Sequence, residues 1–215
     1  MKIAIIGATG FVGSNLVKEA SDRGLEVTVI ARNTDKITDE KVNKISVDVN
    51  NVSKLSEALK GQDAVISAFN AGWTNPNLYN DFLAGSQAIQ QAVKQAGVQR
   101  MIVVGGAGSL YTNENEQLVD LPDFPAEIKP GATAARDYLN ILKEEKELDW
   151  AFFSPAIEMH PGVTIGRTGK YRLGKDYPVF DENQVSKLSP QDLAVVLIDE
   201  VEQPKHHKER FTAAY

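Results

Sequence analysis

Lys2–Ala20 reads KIAIIGATGFVGSNLVKEA, and the reading of this stretch decides the fold. Ile3 to Ile6 make an unbroken apolar run that stops at Gly7. Such a run, closed by glycine, suits a strand buried on both faces, as in a parallel sheet. Beyond the glycines, Phe11, Leu16, Val17 and Ala20 recur at helical spacing, and Gly24 supplies a stop. The unit is therefore strand, glycine turn, helix.

The same rhythm continues outward. Apolar or β-branched runs at EVTVIAR (26–32), NKISVDV (43–49), DAVISAF (63–69), RMIVVGG (100–106), DWAFFSP (149–155) and RFTAAY (210–215) read as strands. Between them lie helical patterns. Ser53 is the expected cap of a short helix through Leu55, Ala58 and Leu59 that stops at Gly61. Asn75-Pro76 is the expected start of a longer helix carrying Leu78, Phe82, Ile89, Val93 and Ala96. A further helix runs to about residue 147, bent near Pro130, and ends in the solvated charge run KEEKE (143–147). Ser189-Pro190 starts the last one, with Leu193, Leu197, Ile198 and Val201 as its apolar stripe.

Strands alternating with helices from residue 2 to about 154 give an α/β fold, a Rossmann-type doubly wound parallel sheet with right-handed crossovers. Residues 155–188 are glycine-rich and basic and read as a small C-terminal lobe on the substrate side of a single domain, 1–215. Residues 106–125 are polar and read as a long loop that is functional or mobile.

Composition narrows the class. With 215 residues, 42% hydrophobic and 24% charged, the chain can bury a core without staples. It has no cysteine, so disulfides and thiolate metal sites are excluded. The balance of 23 basic against 29 acidic residues, net −6, disfavours nucleic acid as a partner. No apolar run reaches the roughly 18 residues that span a bilayer, and MKIAIIGATG lacks a signal-peptide pattern. The expectation is a cytoplasmic protein, monomer or homodimer, with no membrane partner. His206-His207 lack a third ligand and read as surface, so no metal is expected.

Gly7, Gly10 and Gly13 space the turn between the first strand and helix. A tight turn, a close backbone approach to a pyrophosphate and close helix packing each require a glycine, and the helix N-terminus offers free N–H groups to phosphate. Gly7, Thr9, Gly10, Phe11, Val12 and Gly13 are thus candidate cofactor contacts. At the end of the second strand, where a carboxylate would accept from a ribose 2′-OH, stands Arg32. Its planar fork suits a 2′-phosphate, with Lys36 assisting, so NADP(H) is preferred and NAD(H) possible. The competing reading is a solvated surface arginine.

The GxxGxxG turn, with GQDAVISAF, RMIVVGGAGSLY, LVDLPDFPAEIKP, LDWAFFSPA and RTGKYRLG, resembles the atypical branch of the short-chain dehydrogenase/reductase superfamily. Within that branch the chain is similar to NmrA-like, NAD(P)H-binding members of the NADH–flavin reductase type. The resemblance implies that Asp48 and Val49 face the adenine, although Asp48 reads equally as a helix cap. It implies that Ala68, Phe69 and Asn70 touch the cofactor ribose, and that Pro155 and Ala156 touch the nicotinamide amide. It places Arg136 where relatives carry the lysine of Tyr-x-x-x-Lys, and Ser109 or Tyr111 where relatives carry a catalytic hydroxyl. The complete motif is missing: Lys143 follows Tyr138 by five residues, off its face. His160 is a weaker substrate-side candidate. Trp73 and Tyr79 either line a substrate pocket or join the core.

Two functions follow. The first is an NADPH-dependent oxidoreductase passing a hydride to FMN/FAD, a quinone or a small carbonyl compound. The alternative is a non-catalytic NADP(H)-binding redox sensor of NmrA type, favoured by the missing tyrosine–lysine pair.

Overall fold

In chain order the elements are β1 (Lys2–Ile6), α1 (Phe11–Asp22), β2 (Glu26–Ala31), β3 (Asn43–Ser46), α2 (Val52–Leu59), β4 (Ala64–Ser67), α3 (Leu78–Gln95), β5 (Arg100–Val104), β6 (Tyr111–Asn113), β7 (Glu116–Gln117), α4 (Lys129–Leu142), β8 (Asp149–Ser154), β9 (Arg172–Gly174), α5 (Pro190–Glu202) and β10 (Glu209–Ala214). They are taken from a computed structural model that describes residues 1–215. Eight strands form one sheet in the order β3-β2-β1-β4-β5-β8-β10-β9. All its neighbours are parallel except β9, which pairs antiparallel with β10. The strand order reverses between β1 and β4, and that reversal opens a crevice at the C-terminal rim of the sheet.

The strands are apolar throughout because both faces are covered. Ile3, Ile5, Val27, Val29, Ile66, Phe153 and Phe211 pack with Leu16, Val17, Leu193 and Leu197 of α1 and α5. Their alternates Ile6, Ile30, Val65, Met101, Val103 and Phe152 pack with α2, α3 and α4 through Leu55, Leu59, Phe82, Ile89 and Leu139. Each such fully buried side chain is worth roughly 1.5–3 kcal/mol. No helix is long and apolar enough to cross a membrane.

Several local expectations are corrected. Asn51, not Ser53, caps α2, its side chain accepting from Lys54 N at 3.1 Å. Asn75 and Pro76 lie in a turn ahead of α3, where Asn75 Oδ1 accepts from Asn77 N at 2.9 Å. Pro130 sits in the first turn of α4, where its missing N–H costs nothing, so the helix has no need to bend there. That helix stops at Leu142, so KEEKE follows it as a turn in which Lys143, Glu144, Lys146 and Glu147 are exposed as expected and Glu145 is not. Glu145 is buried, and its carboxylate accepts from Gln90 Nε2 at 2.7 Å and Glu147 N at 2.6 Å. Residues 106–125 hold the β6–β7 hairpin and 3-10 turns at Ala107–Ser109 and Leu118–Asp120. His206 is no surface residue: it stacks on Phe211 at 4.1 Å and bonds Glu200 at 2.8 Å. Ser189 caps α5 as expected, accepting from Asp192 N at 3.0 Å. Within 155–188, β9 joins the edge of the main sheet.

Candidate active site

The site is built on the turn between β1 and α1. Gly7 has φ +78, and a Cβ there would stand 2.4 Å from the Ala68 carbonyl oxygen at the end of β4. Only glycine allows the two strand ends to approach so closely at the crevice. A Cβ on Gly13 would meet Gly7 O at 2.1 Å, so the third glycine lets α1 sit directly on the turn. Gly10 N donates to Gly7 O at 3.0 Å, and Ser14 N closes the first helical bond onto Gly10 O at 2.9 Å. Between them Phe11, Val12 and Gly13 present N–H groups with no partner in the chain. Gly10 itself makes no side-chain cap. These unpartnered donors, with the positive end of the helix dipole, fit a pyrophosphate.

On one side of this cradle lie the residues expected to face the adenosine. Arg32 follows β2, is exposed, and pairs with no carboxylate. Lys36 lines a cleft of about 320 Å³ together with Thr9, Ser14, Lys18 and Thr38. Lys18 is already held by Asp22 at 2.8 Å, whereas Lys36 is free. Past β3, Asp48 Oδ1 accepts from Asn50 N at 2.9 Å, which makes a turn ahead of α2, and Val49 is buried.

Across the reversal, Ala68 N donates to Ile6 O at 2.9 Å, tying the end of β4 to β1. Phe69 leans inward, stacked on Phe82 with centroids 6.0 Å apart. Asn70 is exposed and its Oδ1 takes Gly72 N at 2.7 Å. Pro155 and Ala156 are buried directly beyond β8.

The three candidate catalytic groups lie in different settings. Ser109 is fully buried; its hydroxyl bonds Gly106 O at 2.8 Å and shares a hydrogen bond with Ser154 Oγ at 2.8 Å. That arrangement clamps the 3-10 turn onto the end of β8. Tyr111 lies with its ring 5.1 Å beneath the Arg210 guanidinium and 6.3 Å from the Tyr177 ring. Arg136 Nη1 holds Asp120 at 2.8 Å and its Nε holds Asp137 at 2.9 Å, so its charge is balanced within the chain. One helical turn earlier stands Ala132, which offers no hydroxyl. Ser109 and Arg136 share no hydrogen-bond partner, and Tyr111 packs on Arg210 instead. His160 sits in an exposed loop with its Nδ1 accepting from Gly162 N at 3.1 Å.

Sequence reasoning left two features open. Trp73 is 61% exposed, and its ring edge rests on the first turn of α4 at Gly131, where a Cβ would come within 2.9 Å of it. Tyr79 donates to Asp137 at 2.8 Å across α3 and α4, and that carboxylate holds the phenol above its usual pKa. Neither contact has a local signal, because each joins residues about 58 positions apart or more. A second cleft of about 220 Å³ lies between α5, Arg23 and the strand β9, and the ion pairs of Arg23 with Asp199 and Glu202 line it. No group of three His, Asp or Glu side chains converges as a metal site.

A family model described as NAD(P)H-binding matches residues 7–204, from the first glycine of the turn to the end of α5 and just past it. The chain belongs to the NAD(P)H-binding family. This NAD(P)H-binding protein is 38% identical over 214 residues to the uncharacterized protein YwnB of Bacillus subtilis, covering 99% of this chain and 97% of that one. A Bacteroides thetaiotaomicron protein provisionally named an epimerase shares 47% identity, with a TM-score of 0.89 over 100% of this chain and 96% of that one. A Streptococcus pneumoniae protein provisionally named an NADH-flavin reductase shares 39% identity, with a TM-score of 0.88 over 100% and 99% of the two chains. The atypical short-chain dehydrogenase/reductase resemblance and the Rossmann-type sheet read from the sequence agree with these relatives.

Proposed function

We propose that the chain is an NADP(H)-dependent oxidoreductase that reduces a flavin, a quinone or a small carbonyl compound in the cytoplasm. The observation that carries this reading is the pairing of the glycine cradle, with its three unpartnered N–H groups, and the free guanidinium of Arg32 on the adenosine side. The cradle binds pyrophosphate, Arg32 and Lys36 take the 2′-phosphate, and Ala68, Asn70, Pro155 and Ala156 orient the nicotinamide half. When bound, the nicotinamide supplies a hydride, and the acceptor takes it up with a proton. Ser109 and Tyr111 serve as positioning groups beside the crevice, and Arg136 holds the ribose after exchanging one of its two aspartates.

A non-catalytic NADP(H) sensor is the second reading. It is favoured by Ala132 and by the balanced charge of Arg136, which together leave no strong proton donor where relatives carry one. Calorimetric titration with NADPH and NADH, followed by NADPH consumption with an acceptor panel, separates the readings. NADPH is expected to bind at least about tenfold more tightly than NADH, since a charge-assisted hydrogen bond is worth about 1.5–3 kcal/mol. Arg32→Asp is expected to reverse that preference. Equal affinities in the unaltered protein refute the role of Arg32, and binding without turnover on any acceptor favours the sensor.

A further inference from the structure

Four large apolar side chains stand uncovered on connections at the C-terminal rim of the sheet. They are Phe11 after β1, Trp73 after β4, Ile128 before α4 and Ile157 after β8, exposed between 40% and 61%. Leaving a tryptophan ring in water forgoes the burial that normally fixes such a residue. Trp73 is nonetheless held in place. Gly72, at φ +105, turns the chain so that the ring edge lies against α4. Gly131 has no Cβ and admits the ring; Leu78 flanks the same spot. The loop behind it is pinned by Asn70 to Gly72 N at 2.7 Å and by Asn75 to Asp81 at 2.8 Å. The result is a rigidly placed aromatic plane with an open face.

Its location gives the plane a use. The glycine cradle and Arg32 assign β1, β2 and β3 to the pyrophosphate and adenosine, so the reacting half of the dinucleotide lies over β4, β5 and β8. Trp73 sits on the loop leaving β4 and leans on the start of α4, at the edge of that half. The chemistry available there matters as well. With Ala132 in place of a hydroxyl and Arg136 bound to Asp120 and Asp137, the site lacks a strong acid to protonate a carbonyl oxygen as hydride arrives. A planar aromatic acceptor spreads the incoming charge over its ring system and takes its proton from water.

We infer that Trp73 is a specificity-determining residue whose exposed face stacks a planar aromatic acceptor, an isoalloxazine or quinone ring, and that aliphatic carbonyl compounds are poor substrates. This inference rests on the oxidoreductase reading and narrows it to one acceptor class.

The test uses the full chain saturated with NADP⁺, titrated with FMN and, separately, with menadione. Calorimetry reads the FMN affinity of the parent and of variants that lack the Trp73 indole, and in the parent tryptophan quenching marks the approach of either probe. Expected are quenching by both probes, and an FMN affinity weakened about tenfold or more in Trp73→Leu and only about threefold in Trp73→Phe. The NADPH affinity of both variants stays within error, because Trp73 lies outside the phosphate cradle, and the melting temperature shifts little, because only the ring edge is packed on Gly131. Unchanged FMN affinity in Trp73→Leu overturns the inference. So does NADPH-dependent turnover of butanal in the unaltered protein with no response to FMN or menadione, which leaves the oxidoreductase reading standing. Failure to bind either dinucleotide defeats that reading and the inference together.

Discussion

Gly13→Ala is the substitution that most directly couples fold and site. The added methyl would stand 2.1 Å from Gly7 O and 2.8 Å from Ala8 Cα, both backbone atoms of the turn. Ordinary contact for such atoms is about 3.4 Å, so the overlap exceeds roughly 1 Å. No rotamer relieves it. Either α1 lifts off the turn or the turn opens. Leu16, Val17 and Ala20 bind α1 into the core, so a lifted helix strains that packing. Overpacking of this kind costs about 1–3 kcal/mol, which lowers the melting temperature by about 3–10 °C for a chain of this size. The same shift moves the Phe11, Val12 and Gly13 N–H groups off the pyrophosphate. Losing one hydrogen bond to a charged group costs about 1.5–3 kcal/mol, or roughly 10- to 150-fold in NADPH affinity. Thermal melting and calorimetric titration read the two effects separately. Gly24→Ala is the control: φ is +75 but nothing lies within 4 Å, so it should cost about 1 kcal/mol and leave NADPH affinity unchanged. A Gly13→Ala protein that melts within a degree of the parent and binds NADPH equally well refutes the argument for a close-packed phosphate turn.

Two further predictions concern buried charge. Burial opposes ionisation of Glu145, yet hydrogen bonds from Gln90, Glu147 N, Lys94 and Leu148 N outweigh it and bring its pKa down to about 2. Because the folded value is depressed, its contribution is full above the ordinary carboxylate range and is lost as pH falls from about 4.5 to about 2. Denaturant melts should show about 2–3 kcal/mol lost across that window, with a matching loss absent in Glu145→Gln; equal acid sensitivity in both proteins would remove Glu145 as the cause. At the opposite rim of the sheet from the crevice, Arg100 Nη2 meets Glu200 at 2.6 Å with both groups buried. Arg100→Met strands the Glu200 carboxylate and should cost about 3–5 kcal/mol, with part recovered on adding Glu200→Gln; a loss under about 1 kcal/mol would mean that His206 and the backbone N–H groups alone satisfy the carboxylate.

How far the sequence could be read depended on the range of the forces involved. Ile3–Ile6 and Phe152–Phe153 announced buried strands because a strand covered on both faces must be apolar at every position. The glycine spacing announced the phosphate turn because three separate steric demands leave no other residue type. Helix starts were legible only in part. Ser189 capped as its sequence suggested, whereas Ser53 and Asn75 did not, since a cap is decided by where the preceding loop delivers the backbone. Glu145 looked like one charge among several in KEEKE, and only the approach of α3, bringing Gln90 and Lys94, made it a buried hydrogen-bond acceptor.

The sequence by itself determined the α/β alternation, the cradle at Gly7, Gly10 and Gly13, and the absence of a carboxylate at Arg32, because each is fixed by local backbone sterics or by side-chain type. Only the tertiary structure decided that Ser109 is a buried clamp, that Arg136 is balanced by Asp120 and Asp137, and that Trp73 rests on Gly131 with one face open. The contacts that decide them, Ser109 with Ser154, Arg136 with Asp120 and Trp73 with Gly131, join segments 16 to 58 residues apart. Strand order and helix packing set such contacts, and no local pattern encodes them.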